Sequence, residues 1–120
     1  MSKQTRKELI FNAEDMSGAL AWEYKLNANF GFFLHFWVTG LSGSSALRVY
    51  ASTQVGGPWA LKILRDKKGK LIEEVPITTD DNNAIEANNF RADFIRVEVD
   101  AATAGTITAF IDIQENNNTY

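Results

Sequence analysis

A chain of 120 residues can enclose one apolar core but not two, and 45% hydrophobic with 22% charged residues is the composition of an ordered globular protein. The formal net charge is −3 and the twelve Lys and Arg are scattered except for the short run Arg65-Asp66-Lys67-Lys68-Gly69-Lys70, which reads as a solvated turn, so charge gives little support to nucleic-acid binding. With no cysteine, a disulfide framework, a thiolate metal site and a cysteine nucleophile are all excluded.

The opening residues Met1 to Lys7 are polar and lack the apolar stretch of a secretory signal. Residues 1–7 read as a flexible tail of a soluble protein made in a cytoplasm. The next segment has two readings. Leu9, Ala13, Met16 and Leu20 form a helical stripe, whereas Leu9, Phe11 and Ala13, then Leu20, Trp22, Tyr24 and Leu26, alternate as two strands joined by a turn over Glu14 to Gly18. Gly18 would cost a helix interior about 1 kcal/mol, and Trp and Tyr favour strands, so strands are expected.

The run Phe30 to Val38 is apolar on both faces: Phe30, Phe32, Leu34, Phe36 and Val38 on one, Phe33, His35 and Trp37 on the other. It is about half the length that a membrane-spanning helix needs, and it reads as a strand covered on both sides. The second cover is either intramolecular, from loops or another sheet, or a partner chain, with the intramolecular cover the nearer expectation. Leu41-Ser42-Gly43-Ser44-Ser45 follows as a hairpin loop, without the glycine spacing of a nucleophile elbow.

Leu47, Val49 and Ala51 alternate with Arg48, Tyr50 and Ser52 up to the breaker Gly56-Gly57-Pro58. Trp59, Leu61 and Ile63 resume the alternation. Asp66-Lys67-Lys68-Gly69 is a solvated turn, and Leu71, Glu73, Val75 and Ile77 form a weaker strand ending in a polar loop over Thr78 to Asn83. Further on, Ile95, Val97 and Val99 share one face of a strand, and Ile107, Ala109, Ile111 and Ile113 share one face of the next, with Phe110 the exception. A turn with Gly105 joins these two as a hairpin. Residues 115–120 read as a second flexible tail. Short strands at this spacing are what a β-sandwich or barrel looks like in sequence, and the reading is a single domain over 1–120, all-β, an antiparallel β-sandwich.

Chemistry is sparse. One histidine and no cysteine do not make a zinc site; His35 reads as packed among aromatics with a ring nitrogen on a backbone carbonyl. Glu73 and Glu74 are adjacent on a strand and point to opposite faces, so they are not a glycosidase pair. Asp80-Asp81-Asn82-Asn83 lacks the terminal glutamate of a calcium loop. No catalytic, cofactor-binding or metal residue is assigned, and the chain is expected not to be an enzyme. The residues that stand out are Phe33, His35 and Trp37, as a protein-interface candidate together with the N-terminal segment. Trp37, Tyr50 and Trp59 are the alternative, a sugar-stacking set of a carbohydrate-binding module. Trp22 and Trp59, in step with their aliphatic neighbours, are expected in the core.

The aromatic strand Phe32 to Gly40, then Leu47 to Thr53, Gly56-Gly57-Pro58-Trp59, Asp93 to Val99 and Ala104 to Ile111 form an order of features that resembles small jelly-roll virion proteins of tailed bacteriophages. Phe94-Ile95-Arg96-Val97, a turn, and Gly105-Thr106-Ile107-Thr108-Ala109 are similar to the closing hairpin of such proteins. The resemblance spans roughly residues 28 to 114. It implies a decoration, head-fibre, neck or tail component, made in the host cytoplasm and located in the virion. By the same implication it assembles as a homo-oligomer with copies of itself and other virion proteins, and takes neither nucleic acid nor membrane as a partner.

Overall fold

The computed structural model describes residues 3–26, 29–80 and 82–116. In chain order its strands are β1 (Lys3–Asp15), β2 (Leu20–Lys25), β3 (Asn29–Ser42), β4 (Ser45–Ser52), β5 (Ala60–Leu61) and β6 (Leu64–Asp66). They continue as β7 (Leu71–Ile72), β8 (Val75–Ile77), β9 (Asn82–Arg91), β10 (Phe94–Val99) and β11 (Ala104–Asn116). Every pairing is antiparallel. One sheet has the order β1-β11-β3-β9-β6-β7, the other β2-β10-β4-β5, with β8 also on β4. Set aside β5 to β7, an excursion between β4 and β8, and the orders become 1-11-3-9 facing 2-10-4-8. The alternation predicts an all-β antiparallel sandwich, which this is, and its strand order is that of a jelly roll, the form the resemblance implies.

The core follows from period-2 patterning on both sheets. From the larger sheet, Phe30, Phe32, Leu34, Phe36 and Val38 of β3 and Ile107, Ala109, Ile111 and Ile113 of β11 point inward, none more than 4% exposed. The smaller sheet answers with Leu47 and Val49 of β4 and Ile95, Val97 and Val99 of β10. One end is closed by the turn after β1, where Met16 is fully buried; its N–H donates to the Gly105 carbonyl and its carbonyl accepts from Ala102. The N-terminal segment is strand and not helix. Its faces differ from simple alternation, because bulges between Leu9 and Phe11 and between Phe11 and Glu14 shift the register. Ile10 and Phe11 are therefore both buried, while Leu9 is on the outer face and Ala13 takes a positive φ of 49°.

Several expectations are corrected by the pairing. The strands at 94–99 and 104–116 are not a hairpin: β10 pairs with β2 and β4, β11 with β1 and β3. Each has one apolar face, and placing them on opposing sheets buries both faces against each other. The 41–45 segment likewise bridges sheets, from β3 to β4. The strand expected over 71–77 is split, β7 on one sheet and β8 on the other, because the chain crosses the sandwich at Glu73 and Glu74. The polar loop expected over 78–83 ends early, since β9 begins at Asn82 and inserts Ile85 and Ala87 into the core. Residues 3–7 and 115–116 are not tails but ladder, with Lys3 opposite Asn116 and Lys7 opposite Asp112; mutual pairing satisfies their backbone groups. Residues 1–2 and 117–120 of the expected tails lie outside the described residues.

Candidate functional site

The outward residues of the larger sheet fall into cross-strand rows. One row runs Leu9, Phe110, His35, Ala84; the next runs Lys7, Asp112, Phe33, Glu86, Arg65; a third runs Thr108, Trp37, Asn82. The antiparallel ladder makes each row a set of neighbours on one face. Phe33, His35 and Trp37 are brought together here, and Phe110, whose place in its strand breaks the alternation, joins them. Trp37 stacks on Phe110 with ring centroids 5.9 Å apart and lies 5.3 Å from the His35 ring. Leu9 is 45% exposed and Phe33 49%, so no described residue covers this face. The intramolecular cover expected for the Phe30 to Val38 strand is overturned: the second sheet packs on its inner face only.

The polar groups sit at the margins of the aromatic strip. His35 Nε2–H donates to Asn82 Oδ1 at 2.5 Å, so its partner is a side-chain amide and not the backbone carbonyl expected. Lys7, Phe33, His35, Trp37, Phe110 and Asp112 line a shallow hollow of about 470 Å³. On the other flank of Phe33 a second hollow of about 300 Å³ is lined by Arg65, Asp66, Lys67, Gly69, Ala84, Ile85 and Glu86 as well as Phe33. Phe33 is thus a ridge between two hollows. At the floor of the larger one, Asp112 Oδ1 is buried without a hydrogen-bond partner, a state that costs free energy until a donor arrives.

The sugar-stacking alternative does not assemble. Trp37 is on the outer face of one sheet, whereas Tyr50, opposite Arg96 and Leu61, is on the outer face of the other. Trp59 is also on that second face, with the Arg96 guanidinium 6.0 Å from its ring centroid, so it is not the core residue expected. Trp22 does face inward, half-buried on the edge strand and stacked on Tyr24 at 5.4 Å. The smaller sheet's outer face is closed by ion pairs. Arg48 bonds Asp100 and Glu74, and Arg96 bonds Glu98 and Glu23. The hydrogen bond to Asp100, chiefly, raises the Arg48 pKa further, as that to Glu98 does for Arg96.

Two further acidic residues, Asp80 and Asp66, are committed to turns. Asp80 accepts the N–H groups of Gly40 and Leu41 at 2.9 and 2.8 Å, fixing the end of β3. Asp66 accepts from the N–H groups of Lys68 and Lys70, and the Lys70 contact, first, holds its carboxyl below the usual range. Among the described residues no three of His, Asp and Glu gather where they could hold a metal ion.

No protein-family model matches the chain, and no curated protein is significantly similar to it in sequence. Among solved structures it is similar to the SPBc2 prophage-derived protein YomS, with a TM-score of 0.61 at 16% identity, covering 94% of this chain and 96% of that one. A chain from the disulfide-linked pili of Bacillus endospore appendages aligns at a TM-score of 0.49 and 15% identity, over 98% of this chain and 87% of that one. At such identities the finding is of shape: the chain has the all-β fold of a prophage-derived protein.

Proposed function

We propose that this chain is a non-enzymatic structural protein of a bacteriophage particle, a decoration, head-fibre, neck or tail component. It acts by assembling with copies of itself and with other virion proteins, after synthesis in the host cytoplasm. The observation that carries the reading is the aromatic strip on the larger sheet's outer face. Leu9, Phe33, Trp37 and Phe110 form a contiguous apolar surface rimmed by charge, which is how an interaction surface differs from scattered exposed apolar residues. The fold shared with a prophage-derived protein supports the phage context.

The polar side chains support a role without turnover. His35 is held by Asn82, Asp80 by two backbone amides, and Arg48 and Arg96 by carboxylates. None is left facing a cleft with a nucleophile beside it. The test is a mass-spectrometric inventory of particles purified from cells that produce this protein. Copies in fixed ratio to the capsid protein are expected, and confinement to the particle-free fraction would overturn the reading.

A further inference from the structure

We propose that the partner seated on this aromatic face is a second copy of the same chain, paired through a twofold axis parallel to the strands and midway between β11 and β3. This deepens the assembly reading and rests on it. The argument comes from the central row, Lys7, Asp112, Phe33, Glu86, Arg65, whose charges run plus, minus, apolar, minus, plus. An axis centred on Phe33 would set Lys7 over Arg65 and Asp112 over Glu86, all like charges. Moving the axis by half a strand spacing places Lys7 over the partner's Glu86 and Glu86 over the partner's Lys7.

The same half-strand shift solves the shape. It seats the Phe33 ridge above the partner's Asp112, in the hollow walled by Lys7, His35, Trp37 and Phe110. Phe110 then lies over the partner's His35, and Leu9 over the partner's Ala84. Sheets stacked about 10 Å apart leave room for this interdigitation and bring a lysine and a glutamate within reach of each other. Lys7 would sit between Asp112 of its own copy and the partner's Glu86, supplying a donor for the buried Asp112 Oδ1 that has none. Arg65 lies one strand beyond the overlap, paired with Glu86 in the ladder at the rim, so the covered Glu86 has a cation on each side.

The test uses two single variants, Lys7→Glu and Glu86→Lys, with sedimentation equilibrium as the readout. The wild-type chain is expected to dimerise. Each variant alone sets like charges across both symmetry-related contacts and should weaken dimerisation at least about ten-fold. An equimolar mixture of the two restores opposite charges at both contacts. In the mixed pair the introduced carboxylate of one chain faces the introduced ammonium of the other, and the unaltered Glu86 of the first faces the unaltered Lys7 of the second. A heterodimer of near wild-type affinity should therefore form. Lys25→Glu, exposed on β2 of the other sheet, should leave dimerisation unchanged, and circular dichroism verifies that every variant is folded. A monomeric wild-type chain, variants that dimerise like wild type, or a mixture that stays monomeric would each overturn the pairing. If Trp37 fluorescence instead responds to neutral sugars while the chain stays monomeric, the face is a saccharide site and the pairing falls. Particle incorporation is measured separately, so a monomer found in particles overturns this pairing and leaves the assembly reading standing.

Discussion

Phe33 and Phe36 are three residues apart on one strand and have opposite fates. Phe36 is 1% exposed and Phe33 49%. Truncating Phe36 removes a ring from a close-packed interior, so Phe36→Ala should cost about 3–5 kcal/mol in urea unfolding. Phe33→Ala should cost under about 1 kcal/mol, because its ring leaves little water-free surface behind. A second residue-scale expectation concerns pH. The Asp66 carboxyl is held below its unfolded value of 3.8, first by the Lys70 N–H. A depressed carboxyl contributes stability above the unfolded value and loses it as pH falls through the folded value. Wild type should therefore exceed Asp66→Asn in urea midpoint at neutral pH, with the gap closing on acidification to about pH 2. At this scale much was legible: the inward set of β3 is readable from alternation alone. Phe110 stands out as the residue that breaks its strand's pattern, and its reason is the neighbouring Trp37 on the outer face.

Elements were legible where β-branched and aromatic residues alternate, as in β4, β10 and β11. β9 was not, because Asn82-Asn83-Ala84-Ile85-Glu86-Ala87 is poor in strand formers and carries its inward signal on Ile85 and Ala87 alone. Its strand state comes from a place between β3 and β6, where the ladder on both sides outweighs weak propensity. Bulges were hidden for a related reason, since an extra residue in β1 shows only against its partner's register. The irregularity at the start of β11 gives a prediction. Gly105 has φ of 138°, and a Cβ there would lie 3.2 Å from Leu41 Cα and 3.4 Å from the Met16 sulfur. Gly105→Ala should destabilise by about 1–3 kcal/mol. Gly18→Ala, with nothing within 4 Å of the added carbon, should stay within about 0.5 kcal/mol of wild type by thermal denaturation.

Over the whole molecule, the last strand is structurally central. β11 lies between β1 and β3, so residues at the two ends of the chain must meet, Lys3 opposite Asn116, before the larger sheet exists. Truncation after residue 103 should leave a chain with no cooperative unfolding transition, because β1 and β3 lose their shared partner and the core loses Ile107, Ile111 and Ile113. Such non-local pairing also places folding of the intact chain in the range of about milliseconds to seconds by stopped-flow fluorescence.

By itself the amino-acid sequence determined the class of structure and the inward face of its strongest strands, because side-chain alternation is a local property that each strand carries with it. Only the tertiary structure decided which strands pair, on which sheet each lies, and that Tyr50 and Trp59 are on the opposite side of the molecule from Trp37. Backbone hydrogen bonds are alike from strand to strand, so partners are chosen by how all the apolar faces can be buried at once. The openness of the Phe33 and Trp37 face is decided the same way, by what remains uncovered after the sandwich has closed.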